Sequence, residues 1–233
     1  MKESIKQLND KFANGSAENI LQYILEHYKD KAVFTSSMGV EDQVITHIMA
    51  GIDRNSNIAL LDTGRMFYEA YDLIEKTESR YNLKIRVFFP DYKVVEKMVN
   101  TKGINLFYEN IKNRKECCHI RKIEPLKRAL AGNDIWITGL RTEQSTTRKG
   151  LQFAEWDESN KIIKVNPLLN WTIDDVWEYV HHHKVPYNPL HDKGYPSIGC
   201  QPCTRAVQPG EDIRAGRWWW ENPETKECGL HKA

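Results

Sequence analysis

Five cysteines set the chemistry open to this chain. Cys117 and Cys118 stand side by side, Cys200 and Cys203 are spaced Cys-Gln-Pro-Cys, and Cys228 stands alone near the C-terminus with Lys226, His231 and Lys232 close by. Two thiol pairs make four soft ligands, the donor set of a tetrahedral zinc site or of an iron–sulfur cluster. Cys228 is then left over as the reactive thiol, because cationic neighbours raise the thiolate fraction and the thiolate is the nucleophile. Adjacent side chains on a helix diverge by about 100°, so Cys117 and Cys118 serve one centre only if it lies close against the backbone. The competing reading makes them small buried apolar residues. It fits poorly with Lys112, Arg114, Lys115, Arg121 and Lys122 around them.

Other residues have the types an anionic ligand needs. Arg214 and Arg217 lead into Trp218-Trp219-Trp220, and the polar stretch 139–149 carries Gly139, Arg141 and Arg148. Guanidinium forks match phosphate and sulfate oxygens, although by itself the 139–149 stretch reads as a solvated surface loop. The three tryptophans read as sealing a core rather than stacking on bases. His181-His182-His183 reads as structural, since consecutive side chains diverge and cations at a helix C-terminus are favoured by the dipole.

The elements that must position these groups follow from apolar periodicity. Residues 18–29 predict a helix with Ile20, Leu21, Ile24 and Leu25 on one face. Ala32-Val33-Phe34-Thr35 predicts a strand that runs through Ser36-Ser37-Met38-Gly39 into a helix carrying Val44, Ile45, Ile48, Met49 and Ile52. Ile58-Ala59-Leu60-Leu61 predicts a second strand, ending in Asp62-Thr63-Gly64-Arg65 before a helix on which Phe67, Ala70, Tyr71 and Ile74 share a face. Further strands are expected at 85–89, 136–140 and 164–168, with helices over 93–101 and from Thr172 to the three histidines. Strands alternating with helices predict a doubly wound, mostly parallel α/β sheet. Ligands bind such sheets at the C-terminal strand ends, where free helix N–H groups converge. That makes Ser36, Ser37 and Gly39 candidates, and Asp62, Thr63, Gly64 and Arg65 as well. Simple capping of the next helix is an equal reading of the second loop. Beyond Pro223 there is no apolar period, and the segment reads as a mobile tail, giving one α/β unit over 1–220 and a flexible 221–233.

Composition excludes several classes. Lys and Arg number 33 against 32 Asp and Glu, so no global field advertises nucleic acid or an anionic membrane. No apolar run approaches a membrane span. The first residues lack the apolar core of a signal peptide, and five cysteines without one predict a reducing, cytoplasmic setting rather than a disulfide framework.

Together the motifs resemble the assimilatory sulfonucleotide reductases, and most closely the iron–sulfur adenylyl-sulfate (APS) reductases. The match rests on Cys117-Cys118 with Arg121-Lys122, on Gly199-Cys200-Gln201-Pro202-Cys203-Thr204-Arg205, on Arg214-x-x-Arg217-Trp218-Trp219-Trp220 and on Glu227-Cys228-Gly229-Leu230-His231. Leu61-Asp62-Thr63-Gly64-Arg65 and Gly139-Leu140-Arg141 also fit. The resemblance implies an adenine-nucleotide α-hydrolase-like fold, related to ATP pyrophosphatases. The loop at Ser36 lacks the Gly-Gly pair of the ATP-cleaving relatives, which favours a sulfonucleotide over ATP. The resemblance further implies a [4Fe–4S] cluster on Cys117, Cys118, Cys200 and Cys203, and makes Cys228 the nucleophile that attacks the sulfur of APS and expels AMP. Thioredoxin or a glutaredoxin-like reductant would then release sulfite. Lys122, Arg214, Arg217 and His231 are implied as the charge-stabilising residues, with Arg141 a further candidate. The 3′-phosphorylated nucleotide PAPS, or use of both, is the alternative substrate. A cluster-dependent tRNA-thiolating enzyme and a non-catalytic metal-binding module are remoter alternatives, and a homo-oligomer is left open.

Overall fold

A computed structural model describes residues 4–144 and 150–222. Its centre is a six-stranded sheet whose strands are apolar for the reason parallel strands usually are: both faces are covered. Ala32–Ser36 (β1), Ile58–Leu61 (β2), Ile85–Phe88 (β3), Ile135–Ile137 (β4), Ala154–Asp157 (β5) and Ile162–Val165 (β6) lie in the order β3-β2-β1-β4-β6-β5. All neighbours are parallel except β5, which runs antiparallel to β6 at one edge. The central β4 is buried along its whole length, whereas β3, at the other edge, exposes Arg86 and Val87.

Helices cover both faces. Ala17–Tyr28 (α2, following the short Ile5–Phe12, α1), Val40–Ile52 (α3) and Ile173–His183 (α8) pack Ile20, Val44, Ile45, Met49, Val176 and Val180 into the larger core. Tyr68–Tyr81 (α4) adds Leu73 to it. On the opposite face Glu124–Leu130 (α7) sets Leu126, Ala129 and Leu130 against Val33, Ala59 and Trp136. Tyr92–Lys102 (α5) and Ile111–Cys118 (α6) lie beyond, beside a third apolar cluster that contains the paired cysteines. The strand order reverses at β1, since the chain builds outward to β3 and then returns to place β4 on the other side. That is the switch point where doubly wound sheets take ligands.

The expected alternation of strands and helices is present. The last expected strand lies at 162–165 rather than 164–168, and the one expected at 136–140 ends at Ile137. Asn166 and Thr138 are buried there, but they bond each other side chain to side chain at 2.6 Å, so an apolar-looking run continues as loop. α1 and β5 are elements beyond those expected: α1 is short but sets Ile5, Leu8 and Phe12 on one face, and β5 leaves Trp156 exposed. Thr172 opens α8, as its sequence Thr-Ile-Asp-Asp suits, with a capping box whose partner is Asp175. The domain division expected near residue 220 falls where the described residues end.

Candidate functional site

The thiol pairs meet beside the sheet. Cys117 and Cys118 end α6, and the chain then widens into a π-helical turn, His119–Ile123, before α7 begins. Pro125 gives the physical reason: it has no N–H to donate, and in a regular helix its ring would press on the carbonyl four residues back. In the wide turn Glu124 N–H donates to His119 O, and such turns occur mostly at functional sites. Cys200 and Cys203 bracket a short 3₁₀ turn, in which Cys203 N–H donates to Cys200 O at 2.9 Å. None of the four is in a disulfide, and Cys118 and Cys203 are buried. They share one cluster with Met98, Leu106, Phe107 and Trp218, against which Trp220 packs.

Burial dominates the electrostatics here. It pushes the Cys203 thiol up to about 12, helped by Cys200 and Cys118 and opposed by Lys122 and Arg217. It also raises Cys117, against the charge and hydrogen bond of Arg121. Three N–H groups around the thiols are buried without an acceptor: Nε of Arg121, and Nε1 of Trp218 and of Trp220. Each orphaned donor costs about 1–3 kcal/mol. A sulfur-rich, negatively charged group held by the thiols would accept from them. No group of three or more His, Cys, Asp or Glu among the described residues could hold a single metal ion.

The loop after β2 joins this thiol centre to the sheet edge. Thr63 Oγ1 lies 3.3 Å from Cys200 Sγ, and Gln201 N–H donates to Arg65 O at 2.8 Å. Arg121, buried, donates to Thr63 O at 2.6 Å. Asp62 shapes the loop by accepting from Gly64 N–H at 2.7 Å and Tyr71 OH at 3.0 Å. Gly64 takes φ +68°, the left-handed region glycine favours, and Arg121 lies against the place a Cβ would fill. Arg65 is committed to Ile104 O at 2.7 Å and Asn105 Oδ1 at 3.3 Å, bracing the segment that carries Phe107.

The loop after β1 is tied to the loop after β4. Asp42 in the first turn of α3 accepts from Ser37 N–H and Ser37 Oγ, both at 2.6 Å. Burial pushes Asp42 up to about 6, against those two bonds. Ser36 Oγ accepts from Met38 N–H at 3.1 Å, and Met38 takes φ +62°, unusual for a residue with a side chain. Gly39 opens α3 without a capping side chain. Gly139 lies where Asp42 leaves no room for a Cβ.

The basic candidates divide. Arg217 is buried, donates to Ile198 O at 3.2 Å and stacks on Trp218, and its guanidinium fills the space a Cβ on Gly199 would need. Arg214 follows a turn in which its N–H donates to Asp212 Oδ1 at 2.8 Å. Lys122, in the π turn, acts on Cys203. Arg141 is different: buried to 1% exposure, it gives Nε and Nη2 to Glu41 and Nη1 to Glu143 and Trp171 O. Its bonds tie the β4 loop to α3 and to the segment before α8. Cys228, His231 and Arg148 lie outside the described residues.

Asp42, Arg114 and Arg121 were not singled out as site residues from sequence. Arg121 had a signal, falling one turn beyond the cysteine pair. Asp42 had none. A cavity of about 450 Å³ opens next to the start of α3, lined by Val40, Trp177, His191, Gln208 and Ile213 among others. Its size suits a small ligand, but neither the cysteines nor the β2 loop line it.

Residues 31–206 match the phosphoadenosine phosphosulfate reductase domain. The chain is 52% identical over 203 residues to adenosine 5′-phosphosulfate reductase of Allochromatium vinosum, covering 87% of this chain and 79% of that one. It is 48% identical over 229 residues to the protein of that name from Sinorhizobium fredii, covering 98% and 90%. Among solved structures, a phosphoadenylyl-sulfate reductase from Candida auris, in complex with phosphate, superposes with a TM-score of 0.75 at 27% identity, over 89% of this chain and 99% of that one. Yeast FAD synthetase, at 15% identity and a TM-score of 0.58 over 88% and 70%, shares the fold.

Proposed function

The chain belongs to the phosphoadenosine phosphosulfate reductase family, and from that premise we propose that it reduces APS to sulfite and AMP. The observation that carries the reading is the junction of Thr63 with Cys200 and of Arg65 with Gln201. It joins the thiol centre to the strand end where this fold takes nucleotides. The relatives named for APS, at about half identity over nearly the whole chain, favour that nucleotide over PAPS.

In this reading Cys117, Cys118, Cys200 and Cys203 hold a [4Fe–4S] cluster. A cubane fits better than one zinc ion because each thiolate binds its own iron and the four need not crowd a single centre. Bound there, the cluster would supply a fixed negative charge beside Lys122, Arg121 and Arg217, which act on these thiols. Arg214 and Arg217, with Lys122, bind the phosphosulfate oxygens. Asp42 and Ser37 set the loop that receives the nucleotide. Cys228 thiolate attacks the sulfur of APS, the bond from sulfur to the bridging phosphate oxygen breaks, and AMP leaves with that electron pair while His231 supports the charge. A thiolate of thioredoxin or a similar dithiol then attacks the Cys228 sulfur, releasing sulfite as a mixed disulfide forms. Its second thiol resolves that disulfide, so two thiols are oxidised for each sulfur reduced. Cys117, Cys118, Cys200 and Cys203, outside any disulfide, fit a reducing, cytoplasmic setting, and a flexible segment beyond Glu221 would let Cys228 visit both partners.

Intact-mass measurement tests this. Protein mixed with APS but no reductant is expected to release one AMP and gain one sulfonate, mapping to Cys228. Cys228→Ser is expected to keep its iron and its AMP affinity yet form no adduct. An adduct on another residue, or none on the unaltered chain, rules the mechanism out.

A further inference from the structure

One buried charge beside the thiol centre has no task in the proposed chemistry. Arg114, on α6, has no exposed surface. Its Nε donates to Glu221 Oε1 at 2.9 Å and its Nη2 to Glu221 Oε2 at 2.7 Å, a bidentate pair with side chains 0% and 3% exposed. The same guanidinium stacks over Trp218 at 4.7 Å and hydrogen-bonds Cys118, one turn along its own helix. Glu221 N–H in turn donates to Trp218 O at 2.8 Å, closing a turn that begins at Trp218 with φ +42°.

A parallel two-bond fork fixes orientation as well as distance. Removing one partner of such a pair leaves an unneutralised buried charge. A pair this enclosed therefore sets the position and direction in which the chain passes residue 221. Cys228 lies seven residues further on. A fully extended chain of that length reaches roughly 25 Å at most. Where residue 221 is held thus decides the volume that Cys228 can search, and its effective concentration at the nucleotide.

We propose that Arg114 is a positioning residue for sulfur transfer: by clamping Glu221 beside Cys118 and Trp218, it fixes the root of the segment that delivers Cys228. This rests on Cys228 being the nucleophile. Arg114 touches neither the nucleotide nor the transferred sulfur in this scheme, and acts through the path of the chain. Its contact with Cys118 places the root of the segment and the thiol centre on one rigid base.

The test compares the unaltered chain with Glu221→Gln, Glu221→Asp and Arg114→Lys, measuring three quantities: iron content, AMP affinity by calorimetry, and the single-turnover rate of Cys228 sulfonation by intact mass. Glu221→Gln and Arg114→Lys are expected to slow sulfonation about tenfold or more, as misplacement of a reacting group does, with iron and AMP affinity within twofold of the unaltered chain. Glu221→Asp, which keeps the charge, is expected to recover part of the rate. Sulfonation at the unaltered rate in all three overturns the proposal. So does a loss of iron and AMP affinity in step with the rate, which would make the pair part of the fold only. Absence of an adduct on the unaltered chain removes the functional reading and this inference together, an outcome told apart from failure of the pair alone.

Discussion

The Asp42 carboxylate lies against Gly139, so that a Cβ at residue 139 would collide with it, while the same carboxylate holds both Ser37 N–H and Ser37 Oγ at 2.6 Å. One side chain thus couples the loops after the first and fourth strands, on either side of the switch point. Gly139→Ala has to push Asp42 away from Ser37. It is expected to weaken AMP binding at least several-fold while iron content stays unchanged. Calorimetric titration checks this, and an unaltered affinity would break the proposed coupling.

Asp42 also makes stability depend on pH. Its folded value of about 6 lies above the ordinary 3.8, through burial. The folded chain therefore keeps a proton that the unfolded chain releases, so this group's contribution is fully present below about pH 4 and is lost as pH rises through 6. A shift of this size corresponds to roughly 2–3 kcal/mol. Asp42→Asn should remove that slope. In urea unfolding at pH 4.5 and pH 7, the stability difference between the two chains should change with pH; a constant difference would refute the assignment.

The thiol centre yields a prediction about metal. Anaerobically prepared protein should be brown, with about four irons and four acid-labile sulfides per chain. Cys203→Ser should lose both. A colourless protein holding one zinc after iron-replete preparation would sink the cluster reading.

Arg217 is expected to stabilise developing charge through its fork. Arg217→Ala should lower kcat/KM for APS by about 2–4 kcal/mol, and Lys122→Ala and Arg214→Ala similarly. Arg217→Lys should recover only part, because an ammonium lacks the fork. Since the guanidinium occupies the space beside Gly199, Gly199→Ala should reproduce part of the Arg217 loss without removing any charge. Steady-state kinetics with iron content held equal decides it.

Arg141 should behave as a strut. It is 2% exposed at the side chain and paired with Glu41 at 3.0 Å. Arg141→Ala leaves Glu41 unpaired in a mostly enclosed place, so unfolding free energy should fall by about 3 kcal/mol. A variant with normal stability but abolished sulfonation would instead make Arg141 an anion ligand.

Much of this was legible in the sequence because it is local. Apolar periods placed most strands and helices, since burial repeats every second or every third to fourth residue along one element. The capping box at Thr172 needs only near neighbours, and the motifs together identified the family. What tertiary structure alone decided was which distant groups meet. Thr63 reaches Cys200 across 137 positions, Arg141 meets Glu41 across 100, and Arg114 closes on Glu221 across 107. No periodicity carries such pairs, because the fold and not the spacing sets the distance. Arg141 and Arg217 look alike in a sequence, as exposed forks suited to an anion. In the fold the first is buried against Glu41 and Glu143, whereas the second lies on Trp218 and against Gly199, near Cys203.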